Sequence, residues 1–158
     1  MGTGKTHVGT ELAGRLGMDF LDADLEIERR EGRRVPEIFE DEGEPYFRAC
    51  ERDLTEALAG RHGLVIATGG GMVLNPECVE LLSRNADAIC LTAGAGEILK
   101  RIGMETHRPL LAGPDRRERI ENLLRERDPH YRAIPLQIQT DGLSVSEVVD
   151  RVIGMLDA

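Results

Sequence analysis

Short apolar runs alternate with stretches of helical period along the chain, and no other feature restricts its fold so strongly. Four runs, at 18–21, 64–67, 87–91 and 136–139, have the length and apolar character of buried parallel strands. Between them lie helical patterns. In 5–17, Val8, Leu12 and Leu16 recur every four positions and Gly17 is placed to end the helix. A short charged helix is expected over 24–32 and a longer helical region within 36–59. Asn75 and Pro76 form a cap and first position for a helix to about residue 85, and 115–128 is helical too. After the cap Ser144, the residues Val145, Val148, Val149, Val152, Ile153 and Leu156 make one apolar face expected to pack on the sheet. Strands separated by helices need crossover connections, so the pattern predicts an α/β fold with a parallel sheet. A chain of 158 residues is expected to form a single domain over 1–158.

Charge removes several classes of function. Lys and Arg number 20 against 29 Asp and Glu, a formal net charge of -9. Sequence-independent binding to nucleic acid or an anionic membrane needs clustered cations, so neither partner is expected. No apolar run approaches membrane-spanning length and no leader pattern opens the chain, so the expected location is the cytoplasm. Cys50, Cys78 and Cys90 lack a paired spacing and read as buried thiols, and the four isolated histidines make a transition metal unexpected. One window departs from the acidic background. Residues 100–134 hold nine Lys and Arg against six Asp and Glu, which is +3. It includes 103–114, where Gly, Pro and Arg108-Pro109-Leu110-Leu111 show no apolar period and read as a mobile loop. Basic residues around such a loop suit a phosphate or carboxylate ligand, although a solvated helix face explains part of them equally well.

The chemistry starts at Gly2-Thr3-Gly4-Lys5-Thr6, the second half of a phosphate-binding loop running into a helix. Glycines let backbone N–H groups wrap the phosphates, and the helix N-terminus adds the positive end of its dipole. Lys5 neutralises β and γ oxygens, and the Thr6 hydroxyl is a ligand for Mg²⁺. Asp22 and Asp24 follow the first strand, where ligands of parallel sheets bind. They suit a metal's water shell and a proton acceptor for a substrate hydroxyl, while capping of the next helix by Asp24 is an equal reading. Thr68-Gly69-Gly70-Gly71 follows the second strand and permits either close approach of a ligand or a tight turn. Arg48 and Glu51 share one helix face, which by itself describes an ordinary surface ion pair.

In this order the pieces resemble the shikimate kinase family from Met1 to about residue 141. The series is the GTGKT loop; Asp22-Ala-Asp24 with Glu26-Ile-Glu28; Pro36-Glu-Ile-Phe39 with Glu42-Gly-Glu44; and Phe47-Arg48 with Glu51. Ala67-Thr-Gly-Gly-Gly71, Arg108-Pro-Leu-Leu and Tyr131-Arg132 complete it. The resemblance implies ATP-dependent phosphorylation of shikimate to shikimate 3-phosphate by a phosphate-loop kinase with Mg²⁺, acting as a monomer. It implies that Gly2, Thr3, Gly4, Lys5 and Thr6 bind the nucleotide, with Arg101 near the adenine and Asp22 in the metal's shell. Asp24, Arg48, Glu51, Gly69, Gly70, Gly71, Arg108 and Arg132 match shikimate-binding positions. Asp24, Lys5 and Arg108 would carry catalysis, 24–60 would form the substrate-binding segment, and 103–114 the lid. Family strand order is 2-3-1-4-5, with a first strand and the loop's first glycine ahead of the point where this chain opens. A start upstream of Met1 is therefore expected, and the four strands here are expected to pair two and two. The alternatives are a kinase of another small polyol acid, gluconate-like, and a non-catalytic nucleotide-binding remnant.

Overall fold

The computed structural model describes residues 2–102 and 115–157. The elements in chain order are α1 (Lys5–Leu16), β1 (Asp19–Asp22), α2 (Ala23–Glu31), α3 (Val35–Asp41), α4 (Gly43–Leu58) and β2 (Leu64–Ala67). A 3₁₀ turn (Met72–Leu74), α5 (Pro76–Ser83), β3 (Ile89–Thr92), α6 (Ala95–Ile102), α7 (Arg116–Arg132), β4 (Leu136–Gln139) and α8 (Val145–Leu156) follow. Contacts divide the chain into two compact units, Gly9–Asp87 and Met1–Val8 with Ala88–Ala158.

In the unit Gly9–Asp87, β1 pairs in parallel with β2, from Asp19 opposite Leu64 to Asp22 opposite Ala67. Its core joins Ile27 of α2, Ile38 of α3, Phe47, Leu54 and Leu58 of α4, Met72 and Cys78. Phe47, Leu54 and Leu58 stand at i, i+7 and i+11, so one stripe of α4 faces inward. Burying each of these side chains contributes about 1.5–3 kcal/mol. The helical region expected within 36–59 is two helices. The chain breaks between them because Gly43 takes φ 82, a left-handed turn that a side chain would oppose. The first strand begins one residue later than the apolar run. Met18 instead closes the turn after α1, its N–H donating to the Ala13 carbonyl at 2.9 Å.

In the other unit β3 pairs in parallel with β4, Ile89 opposite Leu136 through Thr92 opposite Gln139. Ala93, Ile98, Ile102 and Ile120 form a core with Leu99, Leu123 and Leu124. α8 packs on β4 through its apolar face, with Val148, Val149 and Val152 buried. Its start is closed by a capping box: the Ser144 hydroxyl accepts from the Glu147 N–H at 3.3 Å, and the Glu147 carboxylate accepts from the Ser144 N–H at 2.8 Å. The strands thus form two separate parallel pairs, as expected.

Two differences from the sequence reading bear on the site. α6 has only two turns and contains Gly96, so it went unread although Ile98, Leu99 and Ile102 fall on one face. It is anchored from outside, since the Gly94 N–H ahead of it donates to both carboxylate oxygens of Asp141, at 3.0 and 3.1 Å. α7 does not stop at Asp128 but runs through Pro129 to Arg132. Proline removes one N–H donor from a helix without unwinding it when packing holds both flanks, and on either side Arg127 is buried and Tyr131 half-buried. Among the described residues, no helix is long and apolar enough to cross a membrane.

Candidate active site

The loop Gly2-Thr3-Gly4 delivers the chain into α1 with φ 64 at Gly2 and 88 at Gly4. Thr3 between them is buried, and its hydroxyl oxygen makes no hydrogen bond among the described residues. Such an atom fits an acceptor-rich ligand such as a phosphate. The loop rests on α6, the helix the sequence did not reveal. A Cβ on Gly2 would lie 2.8 Å from Ile102 Cδ1 and 3.1 Å from Ile98 Cγ2. Lys5 and Thr6 form the first turn of α1, so the ammonium, the hydroxyl and the helix's positive dipole end share one place. The Lys5 charge is felt by Cys90 on β3: burial pushes that thiol's pKa up and the ammonium draws it partly back.

In the unit Gly9–Asp87 a second constellation is assembled by three segments. β1 ends at Asp22, whose Oδ1 caps α2 by accepting from the Asp24 N–H at 3.1 Å and the Leu25 N–H at 3.3 Å. The capping role weighed for Asp24 thus falls to Asp22. Asp24, in the first turn of α2, aims its carboxylate at the glycine turn after β2. A Cβ on Gly69 would lie 2.6 Å from Asp24 Oδ1 and 3.0 Å from Glu51 Oε1. Two carboxylates from different helices therefore converge over one glycine. Arg48 lies against the next turn of the same segment, where a Cβ on Gly71 would overlap both terminal nitrogens of its guanidinium. Gly70 between them is half-buried.

Arg48 and Glu51 are not an ordinary surface pair. Nη1 of Arg48 donates to Glu51 Oε2 at 2.6 Å, and the Glu51 side chain is only 2% exposed. A buried carboxylate needs its cation, so this contact holds the guanidinium in place. Nε and Nη2 of Arg48 donate to Glu44 Oε1 at 3.1 and 2.7 Å. Burial pulls the Arg48 pKa down, but the carboxylates of Glu51 and Glu44 outweigh it and raise it overall. The guanidinium carbon also lies 5.7 Å from the centroid of the Phe47 ring, which packs on Phe39 at 5.0 Å.

The remaining basic residues expected at the site have distinct settings in the other unit. Arg101 of α6 is tethered at the end of β4, donating through Nη1 to Thr140 Oγ1 at 2.9 Å, through Nη2 to the Thr140 carbonyl at 2.7 Å, and through Nε to Glu97 at 3.0 Å. Arg132 is 75% exposed and pairs with Asp128 at 2.9 Å. Arg108 and the lid segment 103–114 lie outside the described residues. The sequence reading passed over Arg127. It is 8% exposed, its Nε makes no hydrogen bond among the described residues, and it bonds the Tyr131 hydroxyl, whose pKa burial raises and the Arg127 charge draws partly back. The signal lay in its position one turn before Tyr131, obscured by the helix end expected at Asp128.

A phosphate loop feeding a helix, parallel strands joined through helices, and a carboxylate–guanidinium cluster beyond strand ends define a phosphate-loop kinase of a small acidic substrate. A family model for shikimate kinase matches residues 1–157. The shikimate kinase of Pelotomaculum thermopropionicum is 46% identical over 156 residues, covering 99% of this chain and 91% of that protein. The shikimate kinase of Halorhodospira halophila is 41% identical over 157 residues, covering 99% and 89%. Among solved structures, shikimate kinase from Acinetobacter baumannii in complex with shikimate superposes with a TM-score of 0.94 at 36% identity, covering 99% of this chain and 88% of that one. Shikimate kinase from Aquifex aeolicus gives a TM-score of 0.85 at 32% identity, covering 99% and 92%. The chain belongs to the shikimate kinase family. Its fold is the α/β fold of phosphate-loop kinases, and its reaction is the ATP-dependent phosphorylation of shikimate, a step of aromatic amino acid biosynthesis. The gluconate-like alternative is not favoured, since the relatives just named are all shikimate kinases.

Proposed function

We propose that Asp24 receives the proton of the shikimate 3-hydroxyl as its oxygen attacks the γ-phosphorus of ATP. The bond from that phosphorus to the bridging oxygen breaks, ADP departs, and shikimate 3-phosphate remains. The reading is carried by the convergence of the Asp24 and Glu51 carboxylates over Gly69 beside the Arg48 guanidinium over Gly71. Glu51 orients Arg48, and Arg48 grips the shikimate carboxylate, with Gly69, Gly70 and Gly71 keeping the turn open to these side chains. Gly2, Thr3, Gly4 and Lys5 hold the phosphates, Arg101 stands by the adenine, and Arg108 of the lid stabilises charge on the transferring group. The oxygen donors Thr6 and Asp22 fit Mg²⁺. Among the described residues no group of three or more His, Cys, Asp or Glu gathers into a metal cage. When bound, Mg²⁺ neutralises phosphate charge. The enzyme acts as one monomeric domain in the cytoplasm.

A second assignment concerns the other guanidinium for the substrate carboxylate. Burial and an unmatched Nε favour Arg127 for that role over Arg132, whose exposed side chain is already paired.

Shikimate-dependent ADP release, abolished by chelating divalent cations, tests the reaction. In the same assay Asp24→Asn lowers kcat by about 10²–10⁴-fold, the usual contribution of a positioned base, while ATP affinity persists. Turnover near that of the unaltered protein would remove Asp24 from proton transfer.

A further inference from the structure

The Arg48 guanidinium carries a feature that the reaction does not require. Of its five N–H groups, the pair on the Nε–Nη2 edge has the spacing that receives a carboxylate in parallel. That edge is taken by a single oxygen, Glu44 Oε1, while Glu51 Oε2 takes Nη1. We propose that Glu44 is a tethered placeholder that fills the carboxylate seat of Arg48 and is displaced when shikimate binds. The proposal rests on the reading of Arg48 as the substrate's carboxylate anchor.

The two resident carboxylates differ in what displacing them entails. Glu51 is 2% exposed, so separating it from Arg48 would strand a buried charge. Glu44 is 54% exposed and lies one turn before Arg48 on α4, an arrangement in which the charge returns to water at little cost. Once released, Glu44 remains in the first turn of α4, where the helix dipole favours a negative group. Of the two, Glu44 is therefore the one that yields. Until then it compensates the guanidinium's charge and holds its plane against Gly71, and because it is attached to the same helix it competes with any free anion at high effective concentration. Glu44 acts through Arg48 as a positioning residue, and its effect is confined to ligands that carry a carboxylate.

Calorimetric titration of the unaltered protein, Glu44→Gln and Arg48→Met with shikimate, shikimate methyl ester and ATP tests this. Glutamine keeps the size and one acceptor oxygen of Glu44 but removes the competing charge. The expected result is a shikimate Kd about two- to fivefold lower in Glu44→Gln, the range of an exposed ion pair relieved. The ester and ATP affinities stay unchanged. A shikimate Kd that is unchanged or higher in Glu44→Gln, or an ester that gains as much as the acid, overturns the proposal. Arg48→Met separates this from its premise. If that variant loses shikimate while Glu44→Gln gains nothing, only the placeholder fails; if Arg48→Met binds shikimate normally, the anchor reading fails and the placeholder with it.

Discussion

Gly71→Ala isolates the close packing between the glycine turn and the Arg48 anchor. Gly71 has φ -101 and ψ -12, which any residue adopts, so alanine adds no backbone penalty. Its methyl carbon would lie 2.6 Å from Arg48 Cζ. Carbon atoms in contact sit about 3.5 Å apart, so the guanidinium must retreat by roughly 0.9 Å. That movement takes Nη1 out of the position from which it donates to Glu51 Oε2 at 2.6 Å, and a shift of this size along the bond would carry it past the ~3.2 Å limit of a useful hydrogen bond. A hydrogen bond to a charged group contributes about 1.5–3 kcal/mol, and ~1.4 kcal/mol is a factor of ten, so shikimate affinity should fall about ten- to a hundredfold. The assay is ADP release against shikimate concentration, with nucleotide affinity and thermal melting measured alongside. ATP affinity should hold, and melting should drop modestly as buried Glu51 loses its aligned cation. A shikimate KM within about twofold of the unaltered protein would refute the reasoning, because a far smaller disturbance than one lost charge-assisted bond is then at work.

Three further variants have definite expected outcomes. Arg127→Met should raise the shikimate KM at least about tenfold with little change in melting, since an apolar side chain of similar length suits a buried position. Arg132→Met should change KM less than about twofold, its exposed pair with Asp128 contributing ~1 kcal/mol or less; the reverse ranking would return the carboxylate to Arg132. Hydrogen bonds from Arg29, then Arg30, hold the Glu26 carboxyl at about 2, against an ordinary value of 4.5. A depressed carboxyl stabilises the fold above its unfolded value, so this contribution is complete above pH 4.5 and is lost as pH falls toward about 2. Arg29 is 71% exposed, which keeps the effect to about 2–4 °C of melting temperature or less. Glu26→Gln should flatten the fall in melting temperature over that acid range, and parallel curves for the two proteins would rule the pair out.

What could be read along the chain was what depends on near neighbours. The strands Leu64–Ala67 and Leu136–Gln139, the capped helices starting at Pro76 and Val145, and the loop running into α1 all follow from period, caps and glycine placement over a few residues. The failures came where a distant residue decides. α6 is too short to announce itself and exists because Asp141 anchors Gly94 and the Ile98 and Ile102 side chains find a core. α7 outruns Pro129 because packing at Arg127 and Tyr131 outweighs one missing N–H.

The same division holds at the site. The order of the GTGKT loop, Asp24, Arg48, Glu51 and Gly69–Gly71 along the chain carried the resemblance to the shikimate kinase family, while Asp24, the Arg48–Glu51 pair and the glycines each had an ordinary structural reading when taken alone. Only the tertiary structure decided which of these groups meet. Arg48 pairs with both Glu44 and Glu51 on α4, and only burial tells the two apart, Glu51 lying in the interior and Glu44 at the surface. Likewise Asp22 and Asp24 are indistinguishable in sequence until the backbone gives Asp22 the cap and turns Asp24 toward Gly69. Desolvation and the direction of a side chain are set by atoms far away along the chain, and these determine which charges are held and which are left to act.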